Sequence, residues 1–184
     1  MSTVKWLKIK LDEAHSHYEE SCHRQSMTAR EMARQEHTSC HQTAKTVAIK
    51  ADGKTLLVVL PASRKVSLEK LRKTLRAKSA RLLSEAEIQC EFSDCQMGAI
   101  PPFRHWKGVD LLADLELAKA TPEFIFPAGN RMEAIHMTYT EWRDLANPKE
   151  GQFSEPFGWE NSKGKEPWRE TEKAIQEFEQ GQGD

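Results

Sequence analysis

Polar and apolar residues alternate along this chain with two different periods, and the switches between them mark its elements. Lys45–Ala51 is rich in β-branched residues (Thr46, Val47, Ile49), Asp52-Gly53 follows, and Thr55-Leu-Leu-Val-Val-Leu60 is an apolar run closed by Pro61. An Asp-Gly pair between two such runs predicts a β-hairpin, because its turn needs positive φ at positions that Asp tolerates and Gly adopts freely. Leu68, Leu71 and Leu75 fall at helical spacing within Ser67–Arg76. Two Ser/Thr-x-x-Glu signatures predict helix starts: Thr28–Glu31 opens a helix to about His37, and Ser84–Glu87 a short one towards Phe92. Ala80–Leu83 reads as a short strand and residues 93–108 as a loop. Strands at Val109–Ala113, Glu123–Pro127 and around Ala134–Met137 follow, then a helix from Thr138 to about Leu145. A hairpin, crossover helices and further strands predict one α/β (α+β) domain on a mixed sheet.

The periodic pattern stops at Asn147-Pro148. Beyond it, Gly151, Pro156, Gly158, Gly164, Pro167, Gly181 and Gly183 break any repeat, so residues 1–147 read as the domain and 148–184 as a mostly irregular, acidic extension. Trp168, Thr171, Ile175 and Phe178 share one side of a short helix within Pro167–Gln180.

The 184 residues hold 27 basic and 28 acidic side chains, net charge -1, which argues against a uniformly basic nucleic-acid protein. The distribution changes that picture. Residues 149–184 carry net -4 and residues 1–148 net +3, while between 64 and 81 Arg64, Lys65, Lys70, Arg72, Lys73, Arg76, Lys78 and Arg81 face Glu69 alone, net +7. Such a stripe suits a phosphate backbone; a solvated helix face is the competing explanation. No run approaches a membrane span and Met1–Asp12 has no uninterrupted signal-peptide core, so a soluble cytoplasmic protein is expected, with its four cysteines as reduced thiols.

No G-x-S-x-G elbow, Walker loop, G-x-G-x-x-G or H-E-x-x-H occurs. Cys22-His23, His37 and Cys40-His41 form the densest set of metal-type ligands, but their spacing fits no standard finger, and no metal or other cofactor is expected. Lys45 opens a strand beside the hairpin, where an ammonium can bind a phosphate or sugar hydroxyl, or simply blunt a sheet edge. In Asp94-Cys-Gln-Met-Gly98-Ala-Ile-Pro-Pro102-Phe103, two prolines stiffen a loop while Gly98 is free to present its N–H to a carbonyl or oxyanion; a rigid surface connection is the alternative. Gly129 permits close backbone approach to a ligand or makes a turn.

Taken together these residues resemble the YbaK-type aminoacyl-tRNA deacylases, which include the prolyl-tRNA editing domains. The resemblance rests on His23 with Thr28–Ala33, Ala44-Lys45-Thr46-Val47, Val59-Leu-Pro-Ala62, Phe92–Phe103, Asp114 and Ala128-Gly-Asn-Arg131, in order over about residues 14–147. It implies a curved mixed sheet flanked by helices, and hydrolysis in trans of the ester joining a wrong amino acid to tRNA, typically prolyl-tRNA carrying cysteine, alanine or another small residue. It assigns Lys45 to the terminal ribose or phosphate and Gly98, with Pro102 and Pro101 stiffening its loop, to the aminoacyl carbonyl. Ala99, Ile100, Asp114 and Gly129 would line the amino-acid pocket, with His23 and His136 as further participants. Arg64, Lys65, Lys70, Arg72, Lys73 and Arg76 would contact tRNA. Where the family usually has glycine after the Pro-Pro-Phe segment, this chain has Arg104, followed by His105-Trp106-Lys107. That departure and the extension, a candidate contact for an aminoacyl-tRNA synthetase, leave a non-catalytic aminoacyl- or nucleotide-binding module as the alternative.

Overall fold

The computed structural model describes residues 3–119 and 123–157. Four of its helices start where the sequence supplies a hydroxyl cap, because a Ser or Thr oxygen accepts one of the N–H groups that the first turn leaves without a partner. Thr28 caps α2 (Ala29–Gln35), Ser67 caps α3 (Leu68–Leu75), Ser84 caps α4 (Glu85–Glu91) and Thr138 caps α5 (Tyr139–Ala146). The box at Ser84 is reciprocal, Glu87 reaching back to the Ser84 N–H. At Thr28 the Glu31 carboxylate instead accepts from the Met27 N–H, one residue earlier.

The hairpin forms as its turn chemistry requires. Strands β2 (Ala44–Ala51) and β3 (Lys54–Pro61) pair in unbroken antiparallel register around Asp52 (φ 45°) and Gly53 (φ 82°). The Asp52 carboxylate also accepts the N–H groups of Lys78 at 3.0 Å and Ser79 at 2.8 Å, which sets β5 (Ala80–Leu82) against the far edge of β2. On the other side β6 (Asp110–Asp114) adds to β3 in parallel, and β9 (Lys149–Gly151) adds to β6, again in parallel. The result is a mixed five-stranded sheet in the order β5-β2-β3-β6-β9. A second, antiparallel sheet runs β1 (Glu19–Cys22), β8 (Glu133–Thr138), β7 (Glu123–Pro127), and a parallel bridge between Thr43 and Ile125 joins the two. The expected α/β architecture with a mixed sheet and flanking helices is therefore the one observed.

Alternation along β3 feeds two cores. Leu57 and Val59 point to the larger, with Leu7, Phe103, Phe126 and Trp142; Leu56, Val58 and Leu60 point to the smaller, with Leu71 of α3 and Phe153.

Several elements were not anticipated. Helix α1 (Lys5–Glu13) carries only Leu7 and Leu11 as fully buried residues on a lysine-rich face, too sparse a stripe to stand out. Strand β4 (Arg64–Val66) pairs with β10 (Ser154–Pro156), far away in sequence. These last strands move the edge of the folded unit past the expected boundary at residue 147. Phe153 is 1% exposed, and its N–H donates to the buried Asp114 carboxylate at 2.7 Å. The helix expected within Pro167–Gln180 lies outside the described residues.

Candidate functional site

Lys45 lies on β2 opposite Leu60 and, by alternation, on the same face as Val47 and Ile49, the face that α3 and Phe153 cover. Few side chains on such a face are charged, and the consequence is electrostatic. Burial pushes the Lys45 ammonium from its ordinary 10.5 down to about 8, the Arg30 charge pushes the same way, and Cys40 opposes both. Among the described residues the ammonium has no hydrogen-bond acceptor; its named neighbours are the Phe157 ring, 5.0 Å from Nζ to the centroid, and Arg30, whose guanidinium lies 4.0 Å over the same ring. Arg30 Nε in turn donates to the Ala62 carbonyl at 3.3 Å.

Lys45 lines a small, open cleft. One wall is the entry to α2, with Ser26, Thr28, Ala29 and Met32; another is the turn between β7 and β8, with Pro127, Asn130 and Arg131. The third is the glycine loop, of which only Gly98 and Ala99 line the cleft. Gly98 is exposed with φ +81°, and its N–H has no acceptor among the described residues. The loop around it is pinned on both sides. Gln96 donates its N–H to the Gly129 carbonyl and accepts from the Arg131 N–H, each at 2.9 Å, and Arg131 Nε donates to the Met97 carbonyl at 2.9 Å. A loop glycine whose N–H has no acceptor among the described residues and a desolvated cation thus border the same cleft.

The remaining expectations divide. Ile100, Pro101 and Pro102 are buried behind the cleft, and the Pro102 carbonyl accepts the Trp142 indole N–H at 2.9 Å, so they stiffen the loop without lining the pocket. Gly129 (φ +94°) permits a close approach of a different kind: a Cβ there would collide with Val4 at the start of α1. Asp114 does not line the cleft. Its two oxygens accept the N–H groups of Glu116 and Phe153, because a carboxylate at the end of β6 satisfies the backbone of the segment that β9 leads into.

His23 and His136 also stand apart from the cleft lining and meet at Glu36. His136 Nε2 lies 2.9 Å from one Glu36 oxygen and its Nδ1 3.1 Å from Glu123, while His23 Nε2 lies 4.0 Å from the other Glu36 oxygen. Among the described residues the Cys/His set forms no cluster of metal-type ligands, and His41 Nδ1 pairs with Ser63. Burial pushes the Cys95 thiol up to about 12, so the thiol nearest the glycine loop stays protonated.

The basic stripe is partly occupied. Arg64 donates to Ser154, Lys65 pairs with Glu155, Lys70 donates to the Ser154 carbonyl and Lys73 pairs with Glu69. Arg72 and Arg76 have no ion-pair partner among the described residues. Ser26, Asn130 and Arg131 were not foreseen as pocket residues, although Asn130-Arg131 lies in a segment that carries the family resemblance.

Lys45 and Gly98, which the sequence singles out, therefore border one cleft. The chain belongs to the aminoacyl-tRNA editing domain family, whose model matches residues 23–145, and is a hydrolase of aminoacyl-tRNA esters. It is 29% identical over 116 residues to the multifunctional Ser/Thr-tRNA deacylase ProXp-y of Escherichia coli (strain K12), covering 61% of this chain and 69% of that one; the protein of that name from Escherichia coli O157:H7 matches equally. Among solved structures, one assigned provisionally as a trans-editing enzyme for prolyl tRNA synthetase superimposes with a TM-score of 0.74 at 17% identity, over 84% of this chain and 98% of that one.

Proposed function

We propose that the protein deacylates mischarged tRNA in trans, with Lys45 and Gly98 as its central groups and a small amino acid as the residue removed. The carrying observation is that Lys45 and Gly98 line one cleft together with the short side chains of Ser26, Ala29, Ala44 and Ala99 and the longer ones of Met32, Asn130 and Arg131. Lys45 holds the terminal ribose or phosphate as a point charge. Water adds to the ester carbonyl, the Gly98 N–H stabilises the oxyanion, and collapse expels the tRNA hydroxyl, which takes a proton as the free amino acid leaves. No covalent enzyme intermediate is needed.

Cysteine or alanine on prolyl-tRNA, and serine or threonine as the name of the Escherichia coli relative suggests, are small residues suited to a cleft lined in part by alanine and serine. A panel of tRNAs mischarged with these residues, assayed for release of the amino acid, tests the reading. Turnover on at least one, reduced at least a hundredfold in Lys45→Ala, is expected; no turnover on any refutes it. Reversing Arg72 and Arg76 is expected to raise KM for whole tRNA and flatten its salt dependence, whereas reversing Lys65, already paired with Glu155, does so less. A synthetase that engages the C-terminal extension would deliver the substrate, and a synthetase-dependent fall in KM tests that.

A further inference from the structure

Two segments far apart in the chain meet in space. Trp6 of α1 precedes the family match, and Arg104-His105-Trp106-Lys107 lies within it. The Trp6 and His105 rings stack at 4.1 Å with planes 5° apart, and Trp106 meets both edge-on. Asp94 fixes this geometry: one carboxylate oxygen accepts the Trp6 indole N–H at 2.7 Å, the other accepts that of Trp106 at 2.9 Å, and His105 Nε2 stands 3.6 Å from the first. Trp106 is anchored below by an edge-on contact with the buried Phe92 at 4.8 Å.

His105 sits at the outer end of the stack with 38% of its side chain exposed. Core packing does not account for an imidazole held flat and facing outward. Next to the stacked residues in sequence, Lys5, Arg104 and Lys107 are exposed and have no acidic partner among the described residues, against the one carboxylate of Asp94, which the two indoles engage. Planar rings flanked by unpaired cations match the chemistry of single-stranded nucleic acid, in which bases stack and phosphates follow. The platform also belongs to the same loop as the cleft. Asp94 precedes Gly98 by four residues, and α1 begins with Val4 donating its N–H to the Ala128 carbonyl and packing on Gly129, next to the cleft residue Asn130.

We propose that the Trp6–His105 stack is a landing platform for an unpaired nucleotide at the 3′ end of the RNA substrate, with His105 contacting the base and Arg104 and Lys107 the phosphates. This rests on the deacylase reading and extends it to a substrate contact outside the cleft.

The test compares wild type, His105→Ala and His105→Phe in two assays. One is direct binding of a labelled short single-stranded RNA ending in CCA, followed by anisotropy, which needs no catalysis. The other is deacylation of aminoacyl-tRNA and of the same amino acid esterified to adenosine alone. His105→Ala is expected to weaken RNA binding and raise KM for aminoacyl-tRNA by roughly five- to tenfold at unchanged kcat, to leave the adenosine ester unaffected, and to be rescued by His105→Phe. RNA affinity unchanged in His105→Ala overturns the proposal. So does equal impairment of both variants, or equal impairment on the adenosine ester, because either marks a merely structural residue. Absence of turnover by the wild type would defeat the deacylase reading while the binding comparison still decides this one.

Discussion

Replacing Lys45 by methionine should make the protein more stable and inactive. Holding an ammonium where its pKa falls from 10.5 to about 8 costs the folded state about 3 kcal/mol at neutral pH, at about 1.36 kcal/mol per pH unit. Partial exposure trims this to about 2–3 kcal/mol, and losing the contact with the Phe157 ring returns about 1 kcal/mol. Methionine has a similar unbranched reach and no charge to desolvate. The expected net gain is about 1–2 kcal/mol at pH 7, a rise in Tm of about 3–6 °C for a domain of this size. The pH dependence has a definite sign. Between about pH 8 and 10.5 the unfolded chain keeps the Lys45 proton that the folded chain has released, so wild-type stability rises across that window and is flat below it. Lys45→Met lacks this rise, and its advantage should shrink towards zero near pH 10.5. Urea denaturation of both proteins at pH 7 and pH 10 measures the difference. A less stable Lys45→Met at pH 7, or the same gap at both pH values, would refute the account of Lys45 as a desolvated cation.

Gly98→Ala places a side chain at φ +81°, where the nearest obstacle, the Met27 carbonyl, is still 3.6 Å away; it should lower stability by about 1 kcal/mol through backbone strain alone, and lower kcat more than it raises KM. Asp114→Ala leaves one buried and one partly buried N–H group without their acceptor and should cost about 2–4 kcal/mol in urea denaturation while leaving KM unchanged in the soluble fraction; a raised KM would return Asp114 to the substrate pocket. Phe153→Ala removes a fully buried ring from the smaller core and should cost about 3–5 kcal/mol by thermal melting, whereas a cost below about 1 kcal/mol would show that this segment is not part of the folded unit.

Elements fixed by neighbours in sequence were legible, and those fixed by distant partners were not. The hairpin could be read because Asp52-Gly53 carries its own turn geometry, and α2, α3, α4 and α5 because a hydroxyl stands at each start. Strand β9 has three residues and exists only because the edge of β6 accepts it, a fact held in residues 112–114. Strand β1, Glu-Glu-Ser-Cys, is too polar to announce itself and depends on β8. The site divides in the same way. Lys45 and Gly98 could be singled out as a cation on a β-branched strand and a glycine before two prolines, the family resemblance joined them, and both border one cleft. Asp114 and His136 carry the right chemistry, yet their partners are a backbone N–H 39 residues on and a glutamate 100 residues back, and no local pattern records those distances.

The parallel addition of β9 to β6, with Phe153 seated on Asp114, bears on how the molecule is made. During synthesis every other strand of the five-stranded sheet has left the ribosome before this last one, so β6 waits with an open edge and a carboxylate awaiting its second backbone donor. An open edge pairs readily with whatever strand is near. Chains released before about residue 153 should therefore associate with one another, and cellular yield should depend on how promptly the final segment arrives as much as on the stability of the finished fold.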